Sequence, residues 1–337
     1  MPTKPSAPAD RGPVWLGLLT LYAVWGSTYL AISVAVDTLP PFLMAAARFG
    51  AAGALLVGWS LLRDGRSFVP PTRREWRDSL IVGGLLLGGG MGLVAFGEQT
   101  IPSGITALLV ALMPVWVAVF GRLLLAQRLP RLAVIGIVVG FCGVAILVGP
   151  TAVGAAGALE PTGLAAIIVS PIAWSLGSLY ASHRAVLPRR PLVAAGVQML
   201  AGSVVLAIMG TLAGEPARFD PGAVSLPSLA AFAYLAIVGS LVAFTAYGWL
   251  LRIAPLPLVA TYAYVNPIVA VILGAIILHE PIEPRTLLAG AVIVGAVALI
   301  VTARSRMAAP TVRREERPLV TPLRAPSESP AGQAPSR

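Results

Sequence analysis

With 337 residues, of which 57% are hydrophobic and only 11% charged, the chain is too apolar for a soluble globular domain and reads as an integral membrane protein. Its formal charge of +10 would suit a nucleic-acid binder, but the basic residues flank apolar runs with few aromatics among them. Nucleic acid is therefore excluded as a partner, and the lipid bilayer takes its place.

Ten apolar runs are long enough to cross a bilayer as helices: 14–36, 40–62, 79–96, 102–125, 131–149, 161–181, 191–213, 228–251, 256–278 and 284–303. Residues 1–13 read as a cytoplasmic tail. The first run follows Lys4 and Arg11 but is longer than a signal-peptide core, so it is expected to stay as a helix. It carries "WGSTYLAIS" (25–33), which places Trp25 away from the interfacial belt. The second run holds Arg48 in "MAAARFGAAG", the one ionisable side chain well inside a span. Burying it costs about 2.5 to 3.5 kcal/mol on the insertion scale, so it either binds an anionic or zwitterionic substrate or pairs with Asp37 or Glu98, the nearest acids at span ends.

In the third run "GGLLLGGGMG" spaces Gly84, Gly88 and Gly92 four apart, a stripe for helix packing. "GEQTIP", with its charge at Glu98 and its break at Pro102, separates the third run from the fourth. The fourth places Pro114 and Trp116 at mid-depth, and the fifth contains Cys142, the only cysteine, which rules out an internal disulfide. After a linker at 150–160, the sixth run carries Trp174 in "AWSLGSLYAS" and the seventh carries Gln198 at the place matching Arg48. In the ninth, "TYAYVNPIVAVILG" brings Tyr262, Tyr264, Asn266 and Pro267 together. Residues 304–337 read as a disordered cytoplasmic tail.

Lys and Arg alternate sides between the runs, with only Arg218 and Arg285 on the poorer side. The bias puts both termini in the cytoplasm and fixes the order of spans. A repeat underlies this order. An offset of 153 pairs Pro102 with Pro255, Ala107 with Ala260, Pro114 with Pro267, Gly121 with Gly274 and Leu125 with Leu278. Five spans separate the copies, so the second half is expected upside down relative to the first. Each mid-span proline frees a carbonyl, of Val110 or Ala263, that is costly in hydrocarbon unless it faces a cavity or polar neighbours. The alternative is a kink that serves packing.

No acidic residue falls in a run interior, no Walker motif is present, and His183 and His279 stand at helix ends. Cofactor, ATP and metal chemistry are not read from this chain, nor is an enzyme: a lipid-modifying enzyme would need a nucleophile, paired carboxylates or a metal cluster at membrane depth. A scaffold or channel is the remaining rival to a carrier.

"WGSTYLAI", "RFGAAG", "PSGITALLVALMPVW", "TYAYVNPIVAVILG" and the His279-Glu280 pair, in this order and duplication, resemble the EamA family of the drug/metabolite transporter superfamily, in particular its ten-helix bacterial exporters. The resemblance covers about residues 14–303. It implies an all-α membrane protein of two inverted five-helix repeats, 14–149 and 161–303, in the inner membrane, exporting amino acids, related metabolites or drugs as small-molecule substrates. Members often carry Gly-Glu after the fourth and ninth spans; here Ala126-Gln127 replaces the first, and Glu280 is expected to anchor a helix end. The substrate site is expected among Trp25, Arg48, Trp116, Trp174, Gln198, Tyr262, Tyr264 and Asn266. Pro114 and Pro267 are expected to act as gating breaks, and Glu98 and Asp37 as coupling or ion-pair groups.

Overall fold

The computed structural model describes residues 12–149, 159–254, 256–259 and 261–308. Most of the expected tails and of the 150–160 linker lie outside the described residues. Among the described residues every regular element is helical. The main helices are α1 (Gly12–Val36), α2 (Pro41–Asp64), α3 (Arg73–Gly97), α4 (Ser103–Leu125), α5 (Arg131–Val148), α6 (Pro161–His183) and α7 (Pro191–Leu212). They continue with α8 (Leu226–Val242, running on through Ala243–Ile253), α9 (Tyr262–Ile277) and α10 (Pro284–Ala308). Among the described residues eight helices are long and apolar enough to cross a membrane; Leu226–Val242 and α9 are shorter apolar helices. Large apolar side chains such as Leu62 and Leu212, both 83% exposed, cover the outside of the bundle, as a protein bathed in lipid requires.

The helices depart from the apolar runs in three ways. Helix α3 begins at Arg73, six residues before the apolar run, because Thr72 and Glu75 form a reciprocal capping box: the Glu75 N–H donates to Thr72 Oγ1 at 3.2 Å and the Thr72 N–H to Glu75 Oε2 at 2.7 Å. Scanning for apolar residues passes over such a charged first turn. Parts of α3 (Gly84–Gly92) and α8 (Leu235–Val242) are π-helical, at matching places in the two halves. The prolines behave unequally. Helix α4 is interrupted at Ala111–Leu112, with Pro114 opening its second piece, whereas Pro267 lies inside a continuous α9 that begins only after a separate turn, Leu256–Val259. The expected break at Pro267 is thus displaced toward the start of that segment.

The packing pairs recur between halves. Helix α2 lies along α7 and α5 along α10; α1 packs on α9 as α6 packs on α4, and α1 packs on α8 as α6 packs on α3. When the halves are exchanged, the first two relations map onto themselves and the others onto each other. Small residues set these approaches. A Cβ on Gly26 would meet Val269 at 2.6 Å, and one on Gly92 would meet Leu206 at 2.6 Å. Gly84 and Gly88 face Val205 of α7, so the glycine stripe of α3 is the seam against α7. The largest buried cluster joins α4, α5 and α10 through Leu108, Val115, Leu147, Ile293, Val297 and Ile300. It leaves the faces of α1, α2, α3, α4, α6, α8 and α9 to surround a void.

Candidate functional site

That void is a chamber of about 340 Å³, within the range of small-molecule sites. Helix α1 supplies Trp25, Thr28, Tyr29 and Ile32, a stripe at helical spacing; α6 supplies the matching Ser170, Pro171, Trp174 and Ser178. Met91 and Val94 of α3, and Val110, Met113 and Val117 around the interruption of α4, close one side. Tyr247 of α8 and Tyr262 and Asn266 of α9 line the chamber as well. Both halves therefore contribute in comparable positions.

One wall is aromatic. Trp25 meets Tyr262 edge-on at 4.9 Å and Tyr247 tilted at 5.3 Å between ring centroids. Trp174 fits because Gly90 has no Cβ, which would lie 2.7 Å from the indole. The lining also holds polar groups. Arg48 is 4% exposed; its Nε donates to Ser240 Oγ at 3.1 Å and its guanidinium lies 4.9 Å from the Phe49 ring centre. Ser240 is held in the π-helical part of α8, where its hydroxyl donates to Leu235 O at 3.1 Å. Asn266 Oδ1 is buried and has no partner.

The expected ion pair of Arg48 with Asp37 or Glu98 is not formed. Among the described residues the ion pairs are Arg77–Asp78 and Asp64–Arg190. Arg48 stands seven residues into α2, about 10 Å along the axis, whereas Asp37 is exposed in the connection before it. Of the other expected site residues, Trp25, Trp174, Tyr262 and Asn266 line the chamber with Arg48. Trp116, Tyr264 and Gln198 are not brought to it. Trp116 stacks on Phe120 and meets Phe141 edge-on, and Tyr264 packs on the same buried cluster, two residues and about 200° round the helix from Tyr262. Gln198 sits on the α3–α7 seam, its carbonyl 2.4 Å from where a Cβ on Gly83 would be. Pro267 is buried and Pro114 half-buried, both behind the lining residues Asn266 and Met113. Tyr29 and Tyr247 were not singled out from the sequence; Tyr29 follows Trp25 by one turn, the spacing that marks it.

At the end of the bundle where α3 stops and α4 starts, acids gather. Glu280 accepts from the Ser103 N–H at 2.7 Å and the Gly104 N–H at 3.1 Å, so the expected helix-end anchor is a tie from the end of α9 to the start of α4. Glu98 is 5% exposed, and neither carboxylate oxygen has a hydrogen-bond partner. Its burial, and then the charge of Glu280, hold its carboxyl well above the usual carboxylate range. Glu215 caps α2, accepting from Phe42 N–H at 3.1 Å and Leu43 N–H at 2.8 Å. Among the described residues no cluster of His, Cys, Asp and Glu offers a metal site.

The model of the EamA-like transporter family matches residues 13–149 and 161–302, which is most of the chain and falls in two copies. The chain belongs to the EamA-like transporter family. It is a membrane transporter of that family, built as two EamA-like domains. It is 39% identical over 291 residues to the uncharacterized inner membrane transporter YedA of Escherichia coli strain K12, covering 86% of this chain and 90% of that one. It is 28% identical over 300 residues to the uncharacterized transporter YvbV of Bacillus subtilis strain 168, covering 89% and 94%. Protein PecM of Dickeya dadantii strain 3937 shares 29% identity over 280 residues, covering 81% and 85%. A protein of known crystal structure, 23% identical, aligns with a TM-score of 0.58 over 89% of this chain and all of that one, a likeness of fold. In this EamA-like chain the chamber is where the two matched domains meet.

Proposed function

We propose that the chain is a secondary transporter that exports small anionic or zwitterionic metabolites across the bacterial inner membrane by alternating access. Ten spans form two five-helix units, 14–149 and 161–303, inverted relative to one another with both termini cytoplasmic. The exchange of packing partners between halves, the matched π-helical segments and the sidedness of arginine support this arrangement. The name of the YedA relative supports the inner membrane.

The observation that carries the substrate class is Arg48: a guanidinium on the chamber wall with no carboxylate paired to it among the described residues. A buried, unpaired cation is costly, and a bound anionic group would repay the cost at each cycle. Asn266 Oδ1 offers an acceptor for a substrate donor, and the Trp25, Tyr247 and Tyr262 wall accepts an apolar or aromatic body. Trp116, Gln198 and Tyr264 then act by packing rather than by touching substrate.

Counterflow in proteoliposomes tests this with radiolabelled amino acids, other small carboxylates, nucleosides and sugars. Exchange of carboxylate-bearing solutes, reduced at least about tenfold in Arg48→Met with detergent stability maintained, is the expected result. Equal exchange of neutral sugars by wild type and Arg48→Met sinks the substrate class. Passive equilibration without counterflow indicates a channel instead.

A further inference from the structure

A groove between α3 and α7, of about 660 Å³, shares no lining residue with the chamber. Its α3 wall is Arg73, Trp76, Arg77 and Leu80, and its α7 wall is Leu200, Ala201, Ser203 and Val204. The α3 set has the i, i+3, i+4, i+7 spacing of one helix face. It exists because the Thr72 capping box starts α3 ahead of its apolar run. That face changes along its length, from two exposed guanidinium groups with an exposed indole between them to an exposed leucine. The α7 wall brings no charge. Ser203 spends its hydroxyl on Leu200 O at 2.7 Å, so this side of the groove presents apolar surface.

Charge is unbalanced at the arginine end. Arg77 donates from Nε and Nη2 to Asp78 Oδ1 at 2.9 and 2.8 Å, but Asp78 also accepts from the Tyr180 hydroxyl at 3.1 Å and the Val186 N–H at 2.7 Å. Glu75 is held by Thr72. Neither acid pairs with Arg73, which has no carboxylate partner among the described residues. Arg73 and Arg77, one turn apart, repel each other until an anion sits between them. Guanidinium groups suit phosphate in particular, and an exposed tryptophan suits the level of lipid headgroups. The apolar wall suits a hydrocarbon chain. One ligand meets all three conditions, an anion that carries its own apolar tail and arrives from the bilayer.

We propose that this groove is a site for one anionic phospholipid. Its phosphate lies on Arg73 and Arg77, its glycerol backbone beside Trp76, and one acyl chain along Leu80, Leu200 and Val204. Because α3 belongs to the first matched domain and α7 to the second, the lipid ties the two domains from outside. The orientation proposed above puts it in the cytoplasmic leaflet; the site itself does not depend on transport.

The test is native mass spectrometry of the full chain in detergent, given phosphatidylglycerol or phosphatidylcholine with the same acyl chains. Wild type is expected to retain one phosphatidylglycerol in preference to phosphatidylcholine, and its thermal unfolding midpoint should rise with that lipid. Arg73→Gln should retain it about fivefold more weakly, the share of one basic residue at an anionic headgroup. Arg74→Gln removes the same charge one residue on, away from the groove, and should behave as wild type. Val204→Phe fills the apolar wall and should also lose the lipid. All three positions are exposed, so each variant is expected to fold, with an unchanged midpoint in lipid-free detergent. Equal weakening in Arg73→Gln and Arg74→Gln overturns the proposal in favour of diffuse surface charge. Equal retention of the two lipids overturns it as well, and displacement of phosphatidylglycerol by inorganic phosphate makes the ligand a soluble anion instead. No transport substrate is present in any arm. Failure here therefore leaves the carrier reading standing, and failure of counterflow leaves the lipid site standing.

Discussion

The ends of α4 and α9 are built alike and used differently. Each stops on a residue at positive φ, Ala126 at 51° and His279 at 56°, a conformation that side chains rarely adopt. The next N–H returns to the carbonyl six residues back, Gln127 to Gly121 and Glu280 to Gly274, each at 3.1 Å. From there the side chains part. Glu280 carries a charge across to the first turn of α4, while Gln127 reaches His183 Nε2 at 3.5 Å. The duplication kept the backbone device and changed the chemistry, so this joint is secured by a carboxylate in one half only. The ends of α2 and α7 show a related contrast. Glu215 is buried on two N–H groups of α2, whereas the matching Asp64 pairs with a half-exposed Arg190.

If the charged tie is what distinguishes the two joints, removing it has the largest effect. Glu280→Ala exposes two N–H groups of α4 to an apolar setting and is expected to lower stability by about 2 to 3 kcal/mol, read as a lower midpoint in detergent thermal unfolding. Gly274→Ala should reproduce much of that loss without removing the acid, because its Cβ would stand 2.4 Å from Glu280 Oε2. Gln127→Ala, at the matching place, should cost only a few tenths of a kcal/mol. Equal losses at 127 and 280 would erase the comparison. A second contrast of intermediate size lies on α2 and α7. Glu215→Ala is expected to cost about 2 kcal/mol and Asp64→Ala less than about 1, since an exposed ion pair is weak. Denaturant titration of the two variants side by side checks it.

A pH prediction follows from Glu98. Its folded-state carboxyl is raised by burial and then by Glu280, so the folded protein holds a proton that the unfolded chain gives up near the ordinary glutamate value of about 4.3. Its contribution to stability is full below that value and shrinks as pH rises toward the folded value. Wild type should therefore lose stability relative to Glu98→Gln between mildly acidic and neutral pH. Parallel melting curves across that range would show that Glu98 is not protonated in the folded state.

Much of this was legible in the sequence because periodicity and charge report burial directly. The apolar runs located the helices, the aligned prolines and glycines located the repeat, and Trp25, Arg48, Trp174, Tyr262 and Asn266 came together on the chamber. What escaped depended on rotation about a helix axis or on distant partners. Depth alone selected Tyr264 and Trp116, and only packing shows that they face a core cluster. The π-helical segments shift the register of α3 and α8 and so bring Ser240 to Arg48, a pairing across 192 positions that no local pattern encodes. The Thr72 and Glu75 capping box was readable, but a hydropathy scan is blind to it.

The smallest expected effect is the most direct test of the shared backbone device. Ala126 and His279 each hold a left-handed conformation that glycine adopts without steric cost. Ala126→Gly and His279→Gly should each relieve about 1 kcal/mol of strain, offset in part by the greater freedom that glycine gives the unfolded chain. A net gain of a few tenths of a kcal/mol is expected at both positions, seen as small upward shifts in the unfolding midpoint that add in the double variant because the sites share no partner. Gain at one position and loss at the other would mean that the two ends are alike in angle but not in strain. The difference between Gln127 and Glu280 would then reach down into the backbone itself.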